Sequence, residues 1–578
     1  MRKEQKNKKG KEMGKRISRR KFLKDSSRAA FTVGIGGSHL ILNVFDRSQE
    51  FDLVIKGGDI IDGKGHGKYS GDIGIIGETI KYIGDIPASK AGSVIDAHGL
   101  TISPGFIDAH DHTDVGLLVN PRAESHIHQG ITTVVSGNCG SSPFPIPDVL
   151  YERKREDLKK AYNIDLSWRE IDGFFSEIEK KGTALNYSTF LGHGSLRGAV
   201  VGFNDEIPKK EELKKMKSLI KQNIEEGALG LSSGLEYAPG SYAKISELIS
   251  LCESVGEYGG IYSTHMRDEG DYLLEALEEA MSIAREAGVR LQISHFKCAY
   301  PRNWRKLDKA LEKVEHSKKQ GMDVFCDRYP YTAGATGLSS FNFPLWAKQG
   351  TKEDFLKRLK DHSLEPKFRK HLKKRENKIG SWDKVLISGV TTEKNRKYEG
   401  KSILECMKLT QKDAFNFMRD LLIEENDGVG QIIFMMKEEN LEKVLAHPLV
   451  GVGCDSSAMA PYGKLSGGKP HPRGYGAFPR VLGKYVREKD IVPLTEMIKK
   501  MTFIPAKRFG FKKRGCLEKG YYADIVIFNE KTVIDKATYK DPHQYPEGIE
   551  FVLVNGKIVI KKGEHTGNLP GKILRKGT

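Results

Sequence analysis

Short strand-like runs alternate with amphipathic helical stretches through the long middle of this 578-residue chain, and that alternation restricts the fold more than any single motif does. The runs are TTVVSGN, YSTFLGHGS, GALGLSS, GIYSTH, RLQISH and MDVFCD, and ISELISLCESVGEYG and LLEALEEAMSIAREAG are two of the helices between them. Strand, helix and strand in regular succession pack as parallel units, and eight of them close into a barrel whose chemistry sits at the C-terminal ends of the strands. The expectation for the middle of the chain is therefore a (β/α)8 barrel of the TIM type.

Both ends of the body read differently. From Phe51, the segments DLVIKGGDIID, GDIGIIG, TIKYIGD and SVIDAHGLTISPG are strands separated by Gly and Asp turns, and GYYADIVIFN and FVLVNGKIVI form a second set near the C-terminus. The two sets bracket the barrel and are expected to pair as one small β-sandwich domain. The division expected is an N-terminal address at 1–50, β-domain parts at 51–103 and 500–578, the latter with a C-terminal tail, and the barrel at 104–499. Between about Thr336 and Leu445 the alternation lapses into Lys-rich sequence such as DFLKRLKDHSLEPKFRKHLKKRENK. This reads as an inserted, mainly helical subdomain capping one face of the barrel, with its charges on solvated helix faces.

A formal net charge of +18 would ordinarily point to nucleic acid or an anionic membrane. Its distribution argues against both. Thirteen Lys and Arg against three Asp and Glu fall within residues 1–30, so ten of the eighteen excess charges sit in one short segment. There, SRRKFLK at 18–24 resembles a twin-arginine export signal, and the apolar run AAFTVGIGGSHLILNVF follows it. That run is shorter than the roughly 20 residues of a comfortable membrane span. No A-x-A cleavage site and no lipobox cysteine accompany it, which leaves removal or retention open. The expectation is export in folded form by the twin-arginine machinery, to the periplasm or the outer face of the cytoplasmic membrane. Membrane contact is expected only through an uncleaved N-terminal segment, and no nucleic-acid partner is expected. Seven cysteines without a CxxC pair write neither a disulfide framework nor a zinc ribbon.

The sharpest chemical signal is SPGFIDAHDHTD at residues 103–114, where a strand-like GFID runs into His110-x-His112. Residues two apart in a strand point to one side, so both imidazoles can face one ion at the mouth of the barrel. His265 in YSTHMRDEG and His295 in LQISHFKCAY end later strands, Cys139 ends VVSGNCGSS, and Asp455 follows LVGVGCD. A lone strand-terminal His is more often a hydrogen-bonded structural residue, and a lone Cys a buried hydrophobe. Six ligand-type residues at the ends of five strands reverse that reading. Four imidazoles, a thiolate and a carboxylate suit zinc, because imidazole and thiolate disfavour magnesium and calcium.

Together PGFIDAHDHTD, GNCGSSPFP, GLSSGLEYAPG, THMRDEG, SHFK, RYPYTAG, VGCDSS and HPRGYGAFPRVLGKYV resemble the N-acyl-D-amino-acid deacylase (D-aminoacylase) branch of the amidohydrolase superfamily. The resemblance spans roughly Phe51 to Lys562, apart from 336–445, and includes the two-part β-sandwich. It implies that His265 and His295 hold a tight zinc, and that His110 and His112 share with Asp455 a second, weaker metal. Cys139 would be the thiolate of the tight zinc and a potential bridge between the two ions. Sibling branches such as hydantoinases and dihydroorotases bridge their metals with a carboxylated lysine. The comparable run here, GALGLSSG, offers Leu231 and Ser232 and no Lys, which favours the deacylase branch.

Amide hydrolysis needs a nucleophile at neutral pH and relief of charge on the carbonyl oxygen, and zinc supplies both by lowering the pKa of bound water to about 7 and polarising the carbonyl. Asp455 is the candidate proton shuttle, with ligand duty alone as its alternative. A free α-carboxylate requires a cationic clamp. Arg473 in HPRGYG and Lys297 resemble the family's carboxylate-binding set, with Tyr329 or Tyr331 of RYPYTAG as the hydroxyl donor. Arg267 is a second choice, since Asp268 and Glu269 could hold it in a structural salt bridge. The implied activity is zinc-dependent removal of the acyl group from N-acyl-D-amino acids. The alternatives are an exported dipeptidase or cyclic-amide hydrolase of the same superfamily, and a catalytically silent binding homologue. The D configuration comes from the resemblance alone, because handedness depends on where the clamp stands relative to the metal.

Overall fold

The computed structural model describes residues 50–578, so the twin-arginine segment at 18–24 and the apolar run after it lie outside the described residues. Eight short strands form the centre: Phe106–Asp108, Ile131–Ser136, Asn186–Thr189 with its continuation Leu191–Gly192, Gly230–Gly234, Ile261–His265, Arg290–Ile293, Val324–Arg328 and Val450–Val452. Each runs parallel to the next. The third is interrupted at Phe190, so that its first half pairs with the second strand and its last two residues pair with the fourth. The ring closes where the Ala109 N–H donates to Val452 O (3.4 Å) and the Asp455 N–H to His110 O (2.8 Å).

Every residue of Ile131–Ser136 and Ile261–His265 is buried. Helices cover the outside of a barrel and side chains fill its inside, which leaves no solvated face to alternate. The covering helices are amphipathic. Leu273–Glu286 buries Leu273, Ala276, Leu277, Ala280, Met281 and Ala284, the three- and four-residue spacing of one helix face. Among the described residues no helix is long and apolar enough to cross a membrane.

Thr101–Pro104 pairs antiparallel with Ile525–Phe528, with Ile102 opposite Ile527. That one pairing fuses strands from both ends of the sequence into a nine-stranded sheet, in which Ile55, Ile73, Ile102, Ile527 and Leu553 share an apolar cluster. Barrel-side helices run on to Phe509, through Leu494–Met501 and Phe503–Phe509. The tail comes back to the barrel: the Tyr187 N–H donates to Lys572 O (2.9 Å) and the Leu574 N–H to Tyr187 O (2.7 Å).

The insertion has a core of its own, with Phe343, Phe368, Leu372, Trp382, Phe415 and Leu421. Its Lys-rich helix Glu365–Ile379 turns Phe368, Leu372 and Ile379 inward. Beside its helices it carries a three-stranded antiparallel sheet, with Gly430–Phe434 between Ala333–Gly337 and Val385–Gly389. Those strands are five residues long, and each begins or ends at glycine or alanine, too short and small-residue-rich to show a period of two.

Barrel and β domain meet at a buried polar junction. Arg514 is ion-paired with Asp524 and donates to Asn555 Oδ1 (2.8 Å), and Asn555 Nδ2 donates to Asn186 Oδ1 on the third barrel strand (2.8 Å). Removing one partner of a buried pair leaves an uncompensated charge and costs about 3–5 kcal/mol. Arg514→Met is expected to lower the unfolding free energy in urea by about that amount. A loss below about 1 kcal/mol would show that the junction does not hold the two parts together.

Candidate metal centre

His265 is the last residue of the fifth barrel strand, and the other predicted ligands follow the ends of the first (His110, His112), second (Cys139), sixth (His295) and eighth (Asp455). The first strand stops at Asp108 and the chain bends at Ala109 and His110, but it stays docked on both neighbouring strand ends: the Asp111 N–H donates to Val135 O (3.0 Å) and the His112 N–H to Ser456 O (3.0 Å). His110 and His112 face the centre, whereas Asp111 turns away, accepting from the Thr113 N–H (2.5 Å) and lying 2.7 Å from His126 Nε2.

Cys139 Sγ is 3.4 Å from His110 Nε2 and 3.4 Å from His295 Nε2. Asp455 Oδ1 is 3.2 Å from His112 Nε2 and 3.6 Å from His110 Nε2. The ring centroids of His265 and His295 are 4.5 Å apart, and those of His110 and His295 4.8 Å. All six predicted ligands thus come to one place.

The surroundings favour a cation. Burial pushes the Cys139 thiol up, but the facing His110 and His295 hold it well below the ordinary thiol range. Burial lowers His265, yet Glu269, Cys139 and Glu236 carry it up to about 10. His112 is raised in the same way to about 10, against burial, by Asp455 and Cys139. The acidic neighbours therefore stabilise positive charge at these rings. His265 Nε2 lies 3.0 Å from Glu236 Oε2, while its Nδ1 is buried without a hydrogen-bond partner. An orphaned imidazole nitrogen beside an ionised thiol fits a zinc-type ion.

Backbone geometry is bent to the purpose. Cys139 (φ +52°), His295 (φ +35°) and Asp455 (φ +51°) sit in the left-handed region, at a cost of order 1–2 kcal/mol each. Asp108 Oδ1 accepts from the N–H groups of His110 and Cys454 (both 3.0 Å), clamping the first and eighth strand ends. Asp327 Oδ1 accepts from the His295 N–H (2.7 Å) and stands 3.1 Å from His110 Nδ1, off the line of a hydrogen bond. A Cβ on Gly140 would lie 2.7 Å from Gly234 N, so the Cys139 turn lies directly on the fourth strand. From that strand Ser232 Oγ donates to Gly137 O and accepts from the Gly140 N–H (3.1 Å). On the strand where a bridging lysine was sought, a serine holds the thiol's turn.

The centre opens into a cavity of about 500 Å³, and Lys297, Tyr329 and Arg473 reach its wall. Arg473 Nη1 is 2.7 Å from Asp455 Oδ2, and its guanidinium lies 4.5 Å from the centre of the Tyr329 ring. Lys297 Nζ donates to Glu269 Oε1 (2.6 Å) and lies 2.7 Å from His295 Nδ1. Two predicted contacts are corrected. Tyr331 turns away from the cavity, where its hydroxyl donates to Asp535 Oδ2 (3.2 Å). Arg267 is held by Glu279 (2.9 Å) and donates to Ser241 O and Ala243 O. Its salt bridge is structural, but with Glu279 and not with Asp268 or Glu269.

Sequence reasoning passed over Glu236, Tyr237, Glu269 and Asp327. The ring of Tyr237 is 4.9 Å from that of His265, on the cavity wall, and burial keeps its phenol protonated as a donor. Glu269 Oε1 lies 2.9 Å from His295 Nδ1. The available signal was acidic residues at strand ends beside ligands, in THMRDEG and VFCDRYP.

Residues 93–327 and 465–560 match the model of the amidohydrolase family. D-aminoacylase of Alcaligenes xylosoxydans xylosoxydans is 32% identical over 531 residues, 91% of this chain and 98% of that protein. Among solved structures, N-acyl-D-glutamate deacylase from Bordetella bronchiseptica, complexed with zinc and a phosphonate mimic of the tetrahedral intermediate, gives a TM-score of 0.77 at 31% identity, covering 91% of this chain and 100% of that one. A D-aminoacylase structure concerned with its binuclear metal centre, with one-metal activation and second-metal attenuation, gives 0.75 at 32% identity, with coverage of 91% and 100%.

Cys139→Ser is expected to weaken zinc binding by at least about tenfold, read as metal content after dialysis against a chelator with circular dichroism unchanged. Full retention of zinc would remove the thiol from the ligand set.

Proposed function

The chain belongs to the amidohydrolase family, in its D-aminoacylase branch, and on that premise we propose that it is a zinc-dependent hydrolase removing the acyl group from N-acyl-D-amino acids. The observation that carries this reading is the convergence of four imidazoles, an ionised thiol and a carboxylate on one spot, where all but the fully buried His110 line the floor of one cavity. His265, His295 and Cys139 would hold a tight zinc, and His110, His112 and Asp455 a weaker second ion. Bound there, zinc supplies an acidified water and draws charge from the scissile carbonyl.

The protein's own groups do the rest. Burial opposes ionisation of Asp455, but Arg473, His295 and His112 hold its carboxyl well below the usual range. It is ionised at neutral pH, and would take the proton released as water adds to the amide and deliver it to the departing nitrogen. One water is consumed, the C–N bond breaks, and a carboxylic acid and an amine leave. Arg473, Lys297 and Tyr329 grip the α-carboxylate, and Tyr237 donates a hydrogen bond to the carbonyl oxygen.

The same proposal places the protein outside the cytoplasm. Support comes from the sequence alone, from Arg19 and Arg20 ahead of an apolar run.

Asp455→Asn is expected to lower kcat by about 10²- to 10⁴-fold on N-acetyl-D-amino acids while the tightly held zinc persists. Unchanged amine release would remove Asp455 as the shuttle, and release from the L enantiomers only would overturn the D reading. Replacing Arg19 and Arg20 by Lys is expected to shift activity from the periplasmic to the cytoplasmic fraction; an unaltered distribution would refute export by this route.

A further inference from the structure

Neighbouring strands of the barrel are joined by ladders all the way from the first to the eighth. Among the described residues no ladder joins the eighth back to the first. That seam is held by single hydrogen bonds, one of them the long 3.4 Å bond from the Ala109 N–H to Val452 O, and by the Asp108 carboxylate, whose Oδ1 takes the N–H groups of His110 and Cys454.

Behind the seam lies a second group of donor atoms, none of them in the catalytic set. Asp108 comes from the first strand, His126 from the short helix Glu124–Ile127 and Cys454 from the end of the eighth strand. One ligand atom from each falls within 4.8 Å of the others, the same spread that encloses His110, Cys139, His295 and Asp455. Asp111 Oδ2 adds a fourth donor, 2.7 Å from His126 Nε2. All four side chains are fully buried, and none borders the cavity.

This group is incomplete without a cation. Asp108 Oδ2 is buried with no hydrogen-bond partner, and it points toward His126 Nε2 at 3.9 Å. The Cys454 thiol reaches Gln129 Oε1 only at 3.9 Å. Two carboxyl groups share one imidazole here, so ionising both leaves a negative charge unpaired in a place where that is costly. A water would satisfy Asp108 Oδ2 but not the charge. Carboxylate, imidazole and thiolate together are a zinc donor set, and a site with four protein donors and no open position is structural.

We propose that Asp108, Asp111, His126 and Cys454 bind a structural zinc, separate from the catalytic centre, which closes the barrel between its eighth and first strands. Binding expels the thiol proton and the proton shared by His126 and Asp111.

The test counts metal in the whole folded protein. Parent and Cys139→Ser are dialysed against a chelator, and zinc per chain is measured by plasma mass spectrometry. A sealed ion leaves only when the barrel opens, so about one zinc per chain is expected to resist the chelator in both. Adding Cys454→Ala or His126→Leu to Cys139→Ser should abolish it and lower the melting temperature. The same proteins expressed with cobalt in place of zinc report the sulfur directly. Cys139→Ser should keep near-ultraviolet sulfur-to-cobalt absorption, and Cys454→Ala should remove what remains. A folded Cys139→Ser without resistant zinc and without that absorption would overturn the proposal, as would resistant zinc that survives Cys454→Ala undiminished. Where the double variants fail to fold, the cobalt absorption of Cys139→Ser alone decides. None of these readings uses turnover, so they are independent of activity on N-acyl-D-amino acids.

Discussion

A single thiol facing several imidazoles is the arrangement on which the rest of this protein depends. An ionised sulfur taken from water must find partners, and Cys139 finds them in His110 and His295, both at 3.4 Å. Those rings come from strands on different sides of the barrel. A closed ring of parallel strands points residues so distant in the chain at one spot. Left-handed backbone at Cys139, His295 and Asp455 is the cost, and it persists because neighbouring strand ends leave those residues no alternative.

The carboxylates around the centre hold strand to strand and ligand to place with the same hydrogen bonds. Asp108, on the first strand, takes the N–H groups of His110 and Cys454. Asp327, on the seventh, takes the His295 N–H and the Gln292 side chain (2.8 Å) from the sixth. Glu269, after the fifth, holds Lys297 and faces His295. Barrel closure and ligand placement are therefore one network, which keeps the floor of the cavity stiff, as a metal site requires.

The walls are built differently. The insertion lends Thr336, Phe341 and Met435 to the cavity, and it is pinned to the barrel where the Tyr300 N–H (2.7 Å) and Trp304 Nε1–H (3.1 Å) both donate to Met435 O. The helix Asp148–Tyr162 supplies another wall. Rigid strand ends thus carry the reactive groups while inserted and looped segments meet the substrate, the division of labour that lets barrels share chemistry and differ in specificity.

Much of this was legible in order. His110, His112, Cys139, His265, His295 and Asp455 could be read as ligands because residue type and strand period are properties of adjacent positions, and the (β/α)8 body follows from the same periodicity. The small sheet of the insertion was not legible, since five-residue runs rich in glycine carry no period. Nor were the pairings of charged residues. Arg267 turned to Glu279, Tyr331 to Asp535, and Glu269 toward Lys297 and His295. Donor set and fold class were determined by the sequence itself, whereas the partners of each cation were decided only by the tertiary structure, because they depend on distances across the ring that no local pattern contains.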